Sequence, residues 1–221
     1  MKTYTINKPE ELNQFKENLI LTLYGPCYYV DGNLIANCDL NLAGCLYIKG
    51  YLKTSQSIET ECFIEVGKYI KAEGSIKTGM FIKAGGSIEA KGSIISGWSI
   101  EAGEYIKSGE FIQANWFIEA GGDIKAGKYI KTDKSIKAGK DIEAGEHIEA
   151  DEYIEAGDGI LAGFYITCNE TLKAGGNIFA GCSVRKEITR EDKTITCSRL
   201  IGGKVKYGIL NETGLTKKGE Q

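Results

Sequence analysis

From Leu34 to Val184 an aliphatic residue recurs at every sixth position, as in Leu34, Leu40, Leu46, Leu52, Ile58, Ile64 and onward. The series holds twenty-six times without insertion or deletion. From Ile58 to Ile178 the residue two after each anchor is small or β-branched, and the one between them is mostly Lys or Glu. The third after the anchor is Gly in 14 of 21 hexads and Asn or Asp in four more. Inward, outward, inward is the period of a short half-buried strand. Gly, Asn and Asp accept positive φ, so each hexad is expected to end in a left-handed bend. Period six does not track 3.6, and Ile with Gly in every unit disfavours a helix. One such strand cannot bury its Ile alone, so the chain must coil and stack each Ile on the next turn's.

Departures from the consensus recur every 18 residues: Asn115, Asp133, Asp151 and Asn169 at the bend, Phe111, Tyr129, His147 and Tyr165 before the anchor, and Cys62, Met80, Trp98 and Trp116 at another corner. Three hexads therefore make one coil. The expected fold is all-β, a single-stranded triangular β-solenoid (β-helix) of about eight to nine coils, roughly 40 Å long at ~4.8 Å per strand. Two outward columns mix charge, one from Glu65 and Lys83 to Glu155 and Lys173, the other from Lys71 and Glu89 to Lys125 and Glu143. Opposite charges on adjacent strands favour the stack and mark a solvated face.

The ends of a solenoid expose strand edges that need covering. Residues 1–26 suit an N-terminal cap: a strand at Thr3–Ile6, then a helix of about ten residues with Pro9, Glu10 and Glu11 in its first turn. Leu12, Phe15 and Leu19 share one face of it and would plug the first coil. Residues 27–186 form the solenoid. Residues 187–221 form a C-terminal β-hairpin cap and tail, with strands at 193–197 and 204–210 around a Gly202-Gly203 turn.

A net charge of −3 gives no field suited to nucleic acid. The polar start lacks a signal-peptide core, and no apolar run is long enough to span a membrane. Seven cysteines without a CxxC pair are expected as reduced thiols of a cytoplasmic protein rather than as metal ligands.

The strict hexads resemble two families. One is the hexapeptide acyltransferases, left-handed β-helices with a small residue four after the anchor. Here, in Ile58-Glu59-Thr60 and Ile124-Lys125-Ala126, the small residue lies two after it. The other is the bactofilins, polymer-forming bacterial cytoskeletal proteins whose triangular right-handed β-helix looks like Gly74-Ser75-Ile76-Lys77-Thr78-Gly79 and Gly122-Asp123-Ile124-Lys125-Ala126-Gly127. That second likeness covers about residues 32–184, favours a right-handed coil and implies a structural role in a bacterial cell.

Catalysis finds no support in the residues. There is no nucleophile–base pair, no phosphate-cradling motif, and His147, the one histidine, takes a slot held by Tyr129 and Tyr165 in its neighbours. No catalytic residue, metal or cofactor is expected. Ice binding would want outward Thr rows, whereas Thr60, Thr78 and Thr132 are read as inward. The candidate interface is the corner where Cys62, Met80, Trp98 and Trp116 replace the usual Lys, Glu or Gly, followed by Phe63, Phe81 and Phe117. These seven side chains would form an apolar stripe over four coils, with Phe111, Tyr129, His147 and Tyr165 as a secondary ladder. The expected role is a rigid non-enzymatic protein-interaction module whose partner is a second copy or a macromolecular target. The alternatives are a bactofilin-like polymer, a phage- or mobile-element-encoded inhibitor of a bacterial defence system such as an anti-CRISPR, and an acyltransferase.

Overall fold

The structure, a computed structural model, describes residues 1–22, 25–183 and 188–214, without the side chains of 16–22 and 25. It is an all-β parallel solenoid of about ten turns with three sheets of eleven, ten and eleven strands and almost no helix. The chain visits the sheets in rotation. Sheet 1 carries the Leu34, Leu52 and Ile70 strands, sheet 2 those of Leu40, Ile58 and Ile76, and sheet 3 those of Leu46, Ile64 and Ile82. Within the repeat, from Leu34 to Ile178, strands 18 residues apart pair in strict register: Ile118 lies beside Ile100 on one side and Ile136 on the other.

That register buries every described anchor from Leu34 to Ile178, and the small residue two later lines the same core. Val184 lies outside the described residues. Inward hydroxyls would be costly if unpaired, and they bond the corner carbonyl of the preceding coil: Thr60 to Gly44 O at 2.5 Å, Ser108 to Gly92 O at 2.7 Å and Thr132 to Trp116 O at 2.5 Å. The outward charges pair from coil to coil, as in Lys77–Glu59 at 2.7 Å, Lys125–Glu143 at 3.1 Å and Lys173–Glu155 at 2.6 Å.

The corners differ from expectation. No described non-glycine residue has positive φ, and the glycines that do are Gly181, Gly202, Gly203, Gly208 and Gly214. Asn115, Asp133, Asp151 and Asn169 are therefore not in left-handed conformations. The corner after sheet 3 is instead glycine because coils approach too closely there for a side chain: a Cβ at Gly121 would run into the carbonyl oxygen of Gly103.

Both ends differ too, and they explain why the coils exceed eight or nine. Thr3–Ile6 pairs parallel with Asn33–Ala36 and so belongs to sheet 1. The expected helix is a seven-residue 3-10 turn, Pro9–Phe15, whose Leu12 is fully buried and whose Phe15 sits edge-on to Tyr4 at 4.9 Å. Lys16–Thr22 then runs antiparallel to Gly25–Val30, and the Leu19 side chain lies outside the described residues. The C-terminal strands are not a hairpin. Thr194–Cys197, Arg199–Leu200, Lys204–Tyr207 and Ile209–Glu212 extend sheets 2, 3, 1 and 2 in parallel. Ile195, Leu200 and Val205 face the core at a spacing of five residues, continued at the exposed end by Leu210 beside Ile195, so this last coil is shorter, and the positive φ of Gly202, Gly203 and Gly208 turns its tighter corners. Leu210 is stacked on Ile195 from one side only and stays 37% exposed.

Candidate functional site

The corner between sheets 2 and 3 gathers most of the residues singled out by the sequence. Backbone hydrogen bonds run along it from coil to coil, Met80 N to Cys62 O at 3.0 Å, Trp98 N to Met80 O at 3.0 Å and Trp116 N to Trp98 O at 2.9 Å, which holds successive side chains one strand spacing apart. Phe63 and Phe81 stack with ring centroids 4.6 Å apart, and Trp98 and Trp116 at 5.6 Å with planes 10° apart. Trp98 is 41% and Trp116 49% exposed, and Met80, Phe63, Phe81 and Phe117 are half-buried beside them. Lys134, the next residue in the corner column, closes the stripe with its ammonium 5.8 Å from the Trp116 ring centroid.

Cys62 does not belong to that surface. It is 1% exposed and disulfide-bonded to Cys45, with Cα atoms 5.0 Å apart. Nor are these two the reduced thiols expected from the sequence. Their separation of 17 is one short of a coil, so stacking brings the corner of one coil against the strand start of the previous one. That arithmetic was available in the sequence. Its Sγ still lies 3.9 Å from the Met80 Sδ, under the stripe. Cys27, Cys38, Cys168, Cys182 and Cys197 are free. Burial pushes the Cys168 thiol up to about 12 and raises Cys38, Cys182 and Cys197 as well, so these sulfurs are poor nucleophiles.

Ile95 is a further apolar residue beside this corner, not among those the repeat pattern singled out. It occupies the outward column of sheet 2 between Lys77 and Gln113, where its neighbours are charged or polar, and lies three residues before Trp98. It widens the apolar corner onto sheet 2. Its signal was an aliphatic residue in a Lys/Glu column. Beyond it a shallow depression of about 620 Å³ crosses sheet 2, bordered by Asn41, Glu59, Glu61, Lys77 and Gly79. Glu59 and Lys77 are already paired with each other there.

The second ladder forms as expected at the start of sheet 2: Phe111, Tyr129, His147 and Tyr165 stack at 4.7, 5.0 and 4.9 Å. Rings cover both faces of His147, and burial lowers its pKa although Glu149 and Glu146 oppose this. The Tyr165 hydroxyl donates to Glu149 at 2.6 Å, and burial and that bond raise its pKa. Burial pushes Glu149 upward, but Lys131 at 2.8 Å and the Tyr165 bond outweigh it and leave the carboxyl below its usual range. His147 thus packs as one ring of a stack, with a carboxylate 3.8 Å away and no hydroxyl or thiol nucleophile in a hydrogen bond to it among the described contacts.

No protein-family model, curated protein or solved structure matches the chain. Among the described residues no helix is long and apolar enough to cross a membrane.

Proposed function

We propose that this solenoid is a non-catalytic protein-interaction module whose contact surface is the aromatic corner of Met80, Trp98, Trp116, Phe63, Phe81 and Phe117, extended by Ile95. The observation that carries the reading is the exposed Trp98–Trp116 stack, which continues the Phe63–Phe81 stack along one corner while many Lys and Glu side chains of the outward columns pair from coil to coil. Isolated exposed apolar residues are ordinary, but a contiguous aromatic patch is a mark of a binding surface, and Trp dominates interface energetics. The hydrogen-bonded corner ladder pre-organises the rings, so little freedom is lost when a partner covers them. The partner is a protein with an apolar surface able to receive the corner.

Both tryptophans of the chain sit here, so intrinsic tryptophan emission reads this surface alone. Docking should shift the emission to the blue. Trp98→Glu with Trp116→Glu should leave the far-UV spectrum and melting unchanged and abolish partner binding. A double variant that binds the partner as the parent does refutes the reading.

A further inference from the structure

The two ends of the solenoid are finished differently. At the N-terminal end the 3-10 turn Pro9–Phe15 lies over the first coil, with Leu12 fully buried and Phe15 against Tyr4, and an antiparallel strand flanks sheet 3. At the C-terminal end, among the described residues, nothing equivalent lies over the last coil. Inside the solenoid each Ile is sandwiched between two others. The last layer of aliphatic residues, Leu200, Val205 and Leu210, is stacked from one side, with Leu200 and Val205 half-buried against the core and Leu210 exposed. Ile201, Tyr207 and Ile209 are exposed around them.

Strand edges are left at both ends, since Thr3–Ile6 and Leu40–Leu42 begin sheets 1 and 2 with pairing on one side among the described strands, so the ends differ in what covers the core and not in their edges. Sheet 3 ends at the two-residue strand Arg199–Leu200, where the Glu212 carboxylate accepts the Leu200 N–H at 2.8 Å, so that edge is satisfied within the chain. Sheets 1 and 2 end at Lys204–Tyr207 and Ile209–Glu212, each paired on one side among the described strands. An unpaired parallel edge beside uncovered core residues is a template for another strand.

From these features we infer that the C-terminal end is a self-association surface on which a second copy of this chain docks end to end, C-terminal coil against C-terminal coil. The occupant must offer two strand edges flanking an open triangle of aliphatic residues. The N-terminal end of a copy cannot, because the 3-10 turn fills that cross-section, whereas the C-terminal end can. The contact is isologous and closes on itself, so it gives a discrete dimer of about twenty coils and not a filament. In it Leu210 and Val205 gain the covering layer that every inner anchor has. The cross-section is smaller than a standard protein interface, so the dimer should dissociate on dilution. The inference does not rest on the aromatic corner.

The test uses the full chain in light scattering and small-angle X-ray scattering over a concentration series. The mass should rise from 24.1 kDa to twice that value and stop there. The maximum dimension should grow from about 50 Å to about 100 Å, as expected for coils stacked at ~4.8 Å along one axis. Leu210→Glu should hold the protein monomeric at every concentration. Ile201→Lys, at a position exposed outside the core, should weaken the dimer at least tenfold with unchanged melting, which covers the case of a misfolded Leu210 variant. Trp98→Glu with Trp116→Glu should leave the dimer intact. Any of four results overturns the inference: a parent chain that stays monomeric, whether residues 215–221 or nothing covers the end; growth past the dimer; a dimer no longer than one protomer; or a dimer lost in the tryptophan variant and retained in both C-terminal ones.

Discussion

Replacing Gly121 by Ala tests whether the corners are glycine for conformation or for space. Gly121 is the fourth of seven stacked glycines after sheet 3, Gly67, Gly85, Gly103, Gly121, Gly139, Gly157 and Gly175. Its φ is not positive, so an L-residue can adopt its backbone, and restricting the unfolded chain would by itself stabilise by about 0.4–1 kcal/mol. Against that, the added Cβ meets the Gly103 carbonyl oxygen and carbon, which are backbone and cannot rotate away. The corner must move outward, and the Gly121 N–H bond to Ala102 O, now 3.1 Å, stretches with it. Losing that bond costs about 1 kcal/mol, and the overpacking about 1–3. After the entropic gain the net destabilisation is about 1–4 kcal/mol. Gly176→Ala is the control: its Cβ would stand 3.2 Å from Asp158 O, a contact relieved by a few tenths of an ångström, and its effect should stay within about 0.5–1 kcal/mol of zero. Guanidinium melts followed by far-UV circular dichroism read both differences, with equal slopes required. A Gly121→Ala protein as stable as the parent would refute the steric account.

Ile118→Ala should cost about 2–5 kcal/mol, since coils fixed by hydrogen bonds on both sides cannot collapse into the cavity. Lys125→Ala, which removes a half-exposed pair with Glu143, should cost about 0–1 kcal/mol in the same melts. His147 has a lowered pKa in the folded state, so its contribution is whole above the ordinary histidine value and is lost as pH falls through the folded one. The melting temperature should therefore drop more steeply below about pH 6.5 in the parent than in His147→Tyr, which matches its neighbours Tyr129 and Tyr165. Alkylation of the denatured, unreduced chain should modify five cysteines, leaving Cys45 and Cys62 joined; seven modified residues would contradict the bond.

The repeat region was legible because each residue type there has one task. Ile must be inside, Lys and Glu outside, and a period of 18 in the exceptions can only reflect three strands per coil. The aromatic corner was legible for the same reason, since Trp98 and Trp116 violate a column of charge. Cys62 was misread because the corner was treated as uniformly outward, when Cys45 one coil earlier draws it in. The corner glycines were misread because a single coil shows only dihedral preference, and the collision belongs to the pair of coils. The C-terminal strands at 193–197 and 204–210 were legible but their pairing was not, because the six-residue period ends before them and Ile195, Leu200, Val205 and Leu210 continue the same sheets at a period of five.

The constant separation of 18 between stacked residues has a kinetic consequence. Sheet proteins usually fold slowly because their strands pair across long stretches of chain, but here the dominant spacing divided by the chain length of 221 is about 0.08, within the range of helical bundles. Each new coil closes a loop of the same modest size onto a template already formed, so growth should propagate along the axis like a zipper once two or three coils have assembled. The slow event is then the first pair of coils, and the two coils joined by the Cys45–Cys62 bond are the ones that covalent linkage already holds together.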